Sequence, residues 1–74
     1  MDEGLAEKLR EWRLHEARRR KIPAFRILTD KVLFAIAAER PASEQELLNI
    51  SGIGPKIAET YGAKLIALCR SAGG

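Results

Sequence analysis

The chain has 74 residues, room for one small domain whose elements must share a single core. Its 13 Lys and Arg against 10 Asp and Glu leave a formal charge of +3, compatible with nucleic acid but not diagnostic of it. One cysteine and one histidine exclude an intrachain disulfide, a Cys/His zinc site and the ordinary His-based catalytic sets.

From Leu5 to Lys21 the residues are strong helix formers without Gly or Pro. Leu5, Leu9, Trp12 and Glu16 share one stripe, with Ala17 and the stem of Arg13 beside it. His15 reads as a surface residue of this helix. Pro23 pushes Ile22 towards an extended conformation, so the helix should stop at about Lys21. Ile22, Phe25, Ile27 and Leu28 then form a dense apolar connector that cannot be left wholly in water.

Thr29 followed by Asp30 is an N-cap signal with an acid at the positive end of the helix dipole. The second helix is expected to run to about Arg40, burying Leu33, Ile36 and Ala37, with Pro41 after its end. Ser43 to Glu46 reads S-x-x-E, a capping box that starts a short third helix carrying Leu47 and Leu48 inward. Gly54-Pro55 starts a fourth, lined by Ile57, Ala58 and Tyr61, because Pro is favoured at the first helical position. Gly62 stands where a left-handed cap would end that helix, leaving Ala63 to Arg70 as a fifth with Leu65, Ile66, Leu68 and a half-buried Cys69.

No stretch alternates with strand periodicity, and there is no internal repeat or low-complexity linker. The expectation is all-α: a compact bundle of five short helices forming one domain over 1–74, with its core at about 5–70 and frayed ends at 1–4 and 71–74. The absence of a secretory segment, of a bilayer-length apolar run and of paired cysteines points to a cytoplasmic protein, nucleoid-associated if bacterial.

Ile50, Gly52, Ile53, Gly54 and Ala58 follow the hydrophobic-x-Gly-hydrophobic-Gly-x-x-x-Ala spacing of a helix-hairpin-helix turn. Two readings of this turn stay open. The free amides at the start of the following helix, with Lys56 in its first turn, could accept a phosphate. Alternatively the glycines only allow two helices to touch while the amides bind water.

Over Leu9 to Cys69 the chain resembles an HRDC domain (helicase and RNase D C-terminal). The marks are Leu9, Trp12 and Arg13, then Pro23-Ala24-Phe25 with Ile27, Leu28 and Asp30, then Leu33, Ile36, Ala37 and Pro41. Glu46-Leu47-Leu48, Ile50, Gly52-Ile53-Gly54, Lys56 and Tyr61-Gly62 complete the set. The resemblance implies an accessory nucleic-acid-binding domain of an ATP-dependent DNA helicase acting in repair or recombination. RecQ-type helicases come first, UvrD-like ones second. Its implied ligand is single-stranded or branched DNA, bound without sequence readout, and its implied intramolecular partner is the parent helicase core. Alternatives in the same family are a regulatory module that docks on that core with little DNA affinity, and an appendage of an RNase D-type nuclease.

The chain itself has no Walker A loop, no cluster of catalytic carboxylates and no metal constellation. No catalysis, cofactor or metal is therefore expected of this domain, and the isolated domain is expected to be a monomer. The family's usual DNA-contacting surface corresponds here to ARRRKIPAFR, where Arg18, Arg19, Arg20, Lys21 and Arg26 surround Phe25. A cationic track beside an exposed aromatic suits single-strand binding, but Phe25 could equally pack against Ile22 and Trp12. Arg18, Arg19 and Arg20 cannot all line one face, since successive helical residues point in different directions. Gly52, Gly54, Lys56 and Lys64 form the second candidate surface, suited to phosphate alone. Trp12 and Tyr61 are assigned to the core, with room for the Tyr61 hydroxyl at the surface. Glu39, Glu44 and Glu46 fall elsewhere in sequence, as an oppositely charged face that could meet a basic helicase core.

Overall fold

In a computed structural model that describes residues 3–72, four α-helices and one 3₁₀ turn follow one another: α1 (Glu3–Arg20), the 3₁₀ turn Ala24–Arg26, α2 (Asp30–Glu39), α3 (Glu44–Leu48) and α4 (Pro55–Ala72). The helix ends show why the chain breaks where it does. At the end of α1 the Lys21 N–H donates to the Arg18 carbonyl and the Ile22 N–H to the Ala17 carbonyl. Lys21 itself has φ 58°, so the last turn is closed by a Schellman motif with a lysine in the left-handed position. Ile22 and Pro23 then lead into the 3₁₀ turn, whose Arg26 and Ile27 amides donate to the Pro23 and Ala24 carbonyls.

Thr29 Oγ1 accepts from the Val32 N–H, and Ser43 Oγ accepts from the Glu46 N–H, as the two cap signals require. The capping box is closed one residue early, because Glu46 Oε1 accepts from the Ala42 N–H at 3.1 Å. Arg40, at φ 49°, ends α2 with its N–H on the Ile36 carbonyl, and Pro41 beyond it is fully buried.

The fourth and fifth expected helices are one. Gly62 does not cap; it lies buried within the 18-residue α4. A Cβ at Gly62 would meet Leu47 Cδ2 at 3.6 Å, an ordinary contact distance, so the residue lies where α3 lies against α4. With that side packed and no competing turn after it, the helix continues. Glu3, Gly4, Ser71 and Ala72, expected among the frayed ends, are helical, while residues 1, 2, 73 and 74 lie outside the described residues.

The core is built from one apolar side of each helix. α1 contributes Leu5, Leu9 and Ala17, α2 Leu33, Ile36 and Ala37, α3 Leu47, and α4 Ala58, Leu65 and a buried Cys69; Ile27 and Leu28 close it from the connector. α1 packs against α2 and α4, and α3 packs on α4. Arg13 ties α1 to the start of α2: its guanidinium donates to the Leu28 carbonyl at 2.9 Å and pairs with Asp30 at 2.8 Å. No helix among the described residues is long and apolar enough to cross a membrane.

Candidate nucleic-acid interface

The hairpin turn separates its two glycines. Gly52 has φ +97°, and a Cβ there would stand 2.5 Å from Val32 Cγ2, so only glycine lets the turn close onto α2. Gly54 has nothing within 4 Å of its Cβ position. The Gly54 carbonyl accepts from the Ala58 N–H at 3.1 Å, which places Lys56 in the first turn of α4, where amides have no helical partner. Gly52 is therefore a packing corner, and Gly54 and Lys56 face open space beside it.

The end of α1 lies along the first half of α4, and two adjoining depressions run between them. One, of about 280 Å³, is lined by Trp12, His15, Glu16, Arg19, Arg20, Thr60, Tyr61 and Lys64. The other, of about 250 Å³, is lined by Arg20, Ile22, Arg26, Lys56, Ile57, Thr60 and Tyr61. Arg20, Thr60 and Tyr61 belong to both, so the depressions form one groove. Its cations are Arg19, Arg20, Arg26, Lys56 and Lys64, drawn from both of the surfaces anticipated in the sequence.

Tyr61 is the centre of this groove. The Arg20 guanidinium carbon lies 5.0 Å from its ring centroid, and Trp12 meets the ring edge-on at 5.3 Å and 78°. Trp12 packs against the core and holds the tyrosine in place, while Tyr61 is half-buried and open to both depressions. The reading of Tyr61 as a core residue with its hydroxyl at the surface did not place the ring in a groove, because α4 periodicity shows which face turns inward but not what flanks that face.

Glu16 was read as part of the apolar stripe. It is buried, at 8% exposure, but as a charged partner: its carboxylate accepts from Arg19 Nε at 3.3 Å and Arg20 Nε at 2.8 Å, and also pairs with Arg19 Nη2. The hydrogen bonds from Arg19, then Arg20, hold its pKa down to about 2 against the burial that opposes them. The Glu16–Arg19–Arg20 spacing of i, i+3 and i+4 is the sequence signal that marks this cluster.

The remaining candidates are placed apart. Arg18 and Lys21 are exposed but line neither depression. Phe25 is 66% exposed, turned out of the core rather than packed on Trp12, and borders the groove only through its neighbour Arg26. Glu39 and Glu46 line a separate depression of about 260 Å³ with Ala35, Asn49, Ile50 and Ser51, while Glu44 is exposed at the start of α3 and does not line it.

A family model described as the HRDC domain matches residues 2–69. Among curated proteins, the chain is 39% identical over 70 residues to the ATP-dependent DNA helicase UvrD2 of Mycobacterium bovis and of Mycobacterium tuberculosis, covering 95% of this chain and 10% of the helicase. It is also 39% identical over 59 residues to Ribonuclease D of Desulfotalea psychrophila, covering 80% of this chain and 16% of that protein. Over 72 residues it is 39% identical to Ribonuclease D of Granulibacter bethesdensis, covering 96% of this chain and 18% of that one. The chain thus spans less than a fifth of the relatives it matches.

Proposed function

The chain belongs to the HRDC domain family, and from that premise we propose that it is a non-catalytic accessory domain that binds single-stranded or branched DNA through the α1–α4 groove. The observation that carries this reading is the convergence of Arg20, Arg26, Lys56 and Lys64 on a half-buried Tyr61. Cations spaced along a groove follow a phosphate backbone, and an aromatic beneath them offers a face to a base. The exposed Phe25 extends the track past Arg26 as a second stacking face. Cations on phosphates and a ring on a base face carry no base-edge readout, so sequence-independent binding is the expectation.

The parent is an ATP-dependent helicase, in which this domain tunes substrate choice during repair or recombination from a cytoplasmic, nucleoid-associated location. The UvrD2 relatives support a UvrD-like parent over the RecQ-type one put first from the sequence. The Ribonuclease D relatives support the alternative of a nuclease parent with RNA in the same groove. A further reading, docking on the helicase core, draws on the acid-lined depression between Glu39 and Glu46, which shares no lining residue with the groove.

Fluorescence anisotropy of a labelled single-stranded oligonucleotide tests the proposal. Expected is non-specific affinity of roughly 10⁻⁴ to 10⁻⁶ M with a steep salt dependence, weakened by Arg20→Ala, Lys56→Ala and Tyr61→Ala. Arg18→Ala should have the smallest effect among the cations. Absence of binding at low salt would remove the DNA reading and leave core docking. Preference for an RNA of the same sequence would favour the nuclease parent.

A further inference from the structure

Two of the five groove cations are already spoken for. Arg19 and Arg20 both hydrogen-bond Glu16, whose side chain, 10% exposed, lines the depression next to Lys64 and His15. From this geometry we propose that Glu16 is an internal competitor for phosphate: its carboxylate takes the Nε and Nη2 donors of Arg19 and the Nε donor of Arg20, and a nucleic-acid phosphate must displace it to use them. The proposal deepens the groove reading and rests on it.

Three features point this way. First, Glu16 bonds only to residues of its own helix. Both arginines lie one turn along α1, and the cluster reaches a second element through the Arg20 guanidinium over the Tyr61 ring of α4. The arginine ends of these pairs are 59% and 40% exposed, so solvent screens the attraction and the pairs add little stability. Burying a carboxylate on the groove wall carries a desolvation cost of its own, and seating Arg20 on Tyr61 accounts for only one of the two arginines it holds.

Second, a guanidinium presents a planar fork of donors that fits carboxylate and phosphate alike. The donors that Arg19 and Arg20 give to Glu16 are those a phosphate would use. Arg20 adds its stacking on Tyr61 to this arrangement, so the carboxylate holds it directly over the ring. Third, Arg26, Lys56 and Lys64 stand outside any such pairing: among the described residues the four acid–base pairs involve Glu7, Glu16 and Asp30 as the acids. The groove is thus open at Lys56 and Lys64 and half-neutralised at its α1 side, where one carboxylate faces two guanidiniums. A strand enters over Lys56 and Lys64 and reaches full contact only when Glu16 yields the arginines.

Removing the competing charge at constant shape should therefore tighten binding, the opposite of what loss of a contact residue does. In the 74-residue chain, Glu16→Gln is expected to bind a labelled single-stranded oligonucleotide about tenfold more tightly than wild type at low salt. Releasing two guanidiniums to phosphate should steepen the salt slope by about 0.7 for each. Glu11→Gln removes the same charge from an exposed site on the same helix outside both depressions, and is expected to change affinity by less than about twofold. Circular dichroism confirms that each variant is folded, and Glu16→Ala provides a second substitution of the same charge.

Equal or weaker binding by folded Glu16→Gln and Glu16→Ala, while Arg20→Ala and Lys56→Ala weaken it, overturns the competitor and leaves the groove intact. The same tightening from Glu16→Gln in an Arg19→Ala/Arg20→Ala background also overturns it, since the effect would then be general charge. If wild type fails to bind and Glu16→Gln binds, the competitor stands while the reading of the wild-type domain as a DNA binder falls. If neither binds, the competitor and the groove reading fall together.

Discussion

Replacing each glycine of the hairpin region with alanine should give three different results, because the three sites differ in space and backbone. At Gly52, φ +97° is a conformation that an alanine adopts only at a cost of about 1–3 kcal/mol. The new methyl would also stand 2.5 Å from Val32 Cγ2, and relieving such a clash in a packed core costs about 1–3 kcal/mol more. A stiffer unfolded chain returns about 0.4–1 kcal/mol. The net loss, about 1–6 kcal/mol with a midpoint of about 3, is a large part of the roughly 4–11 kcal/mol expected for a domain of this size. At Gly62 the methyl meets Leu47 at an ordinary 3.6 Å inside a continuous helix, so alanine should stabilise by about 0.5–1 kcal/mol. At Gly54 nothing lies within 4 Å, and the change should stay within about 1 kcal/mol. Thermal and urea unfolding followed by circular dichroism measure all three. Gly52→Ala should lower Tm by about 10 °C or more, at about 4–8 °C per kcal/mol for a small domain. The reasoning is refuted if Gly52→Ala melts within about 2 °C of wild type, or if Gly62→Ala is as damaging as Gly52→Ala.

Leu33 is fully buried between α1 and the rest of the core, so Leu33→Ala should cost about 2–5 kcal/mol in urea unfolding. Arg13→Ala should cost about 1–3 kcal/mol by leaving the Leu28 carbonyl unpartnered, whereas Asp30→Ala, at a 76% exposed partner, should cost less than about 1 kcal/mol. The Glu16 carboxyl titrates near pH 2 in the fold against an ordinary value of 4.5, so its contribution to stability is present above about pH 4.5 and is lost as pH falls through about 2. It should be small because both arginines are exposed, and urea midpoints measured across that window should flatten in Glu16→Gln. Burial pushes the Cys69 thiol pKa up, so alkylation at neutral pH should be slow in the native chain and rise with urea in step with unfolding.

The local code of this chain was legible residue by residue. The S-x-x-E box, the Thr29 cap, the Pro55 helix start and the stop before Pro23 all rest on interactions within a few residues, and such interactions are contained in a short stretch of sequence. The family marks were legible because they are short runs in a fixed order, turns such as Gly52-Ile53-Gly54 alternating with core positions such as Leu33 and Ile36. Gly62 shows the limit of local reading. A glycine followed by a good helix former is ambiguous until something packs on it, and Leu47, fifteen positions earlier, does so.

The candidate site lay beyond that limit. The sequence supplied the cations but grouped them by adjacency, so Arg18 and Lys21 were joined to Arg20 and Arg26, while Lys56 and Lys64 formed a separate surface. Tertiary packing regroups them: a helical turn rotates Arg18 away from Arg20, and the apposition of α1 and α4 brings Lys56 and Lys64, more than thirty positions on, to the same groove. The same packing turns Phe25 outward, opens Tyr61 to the surface and buries Glu16 beneath two arginines. Charge and helix propensity are properties of a residue and its near neighbours, and the sequence determines them. A groove is a property of two helices that meet, and only the fold decides which cations line it and which carboxylate stands among them.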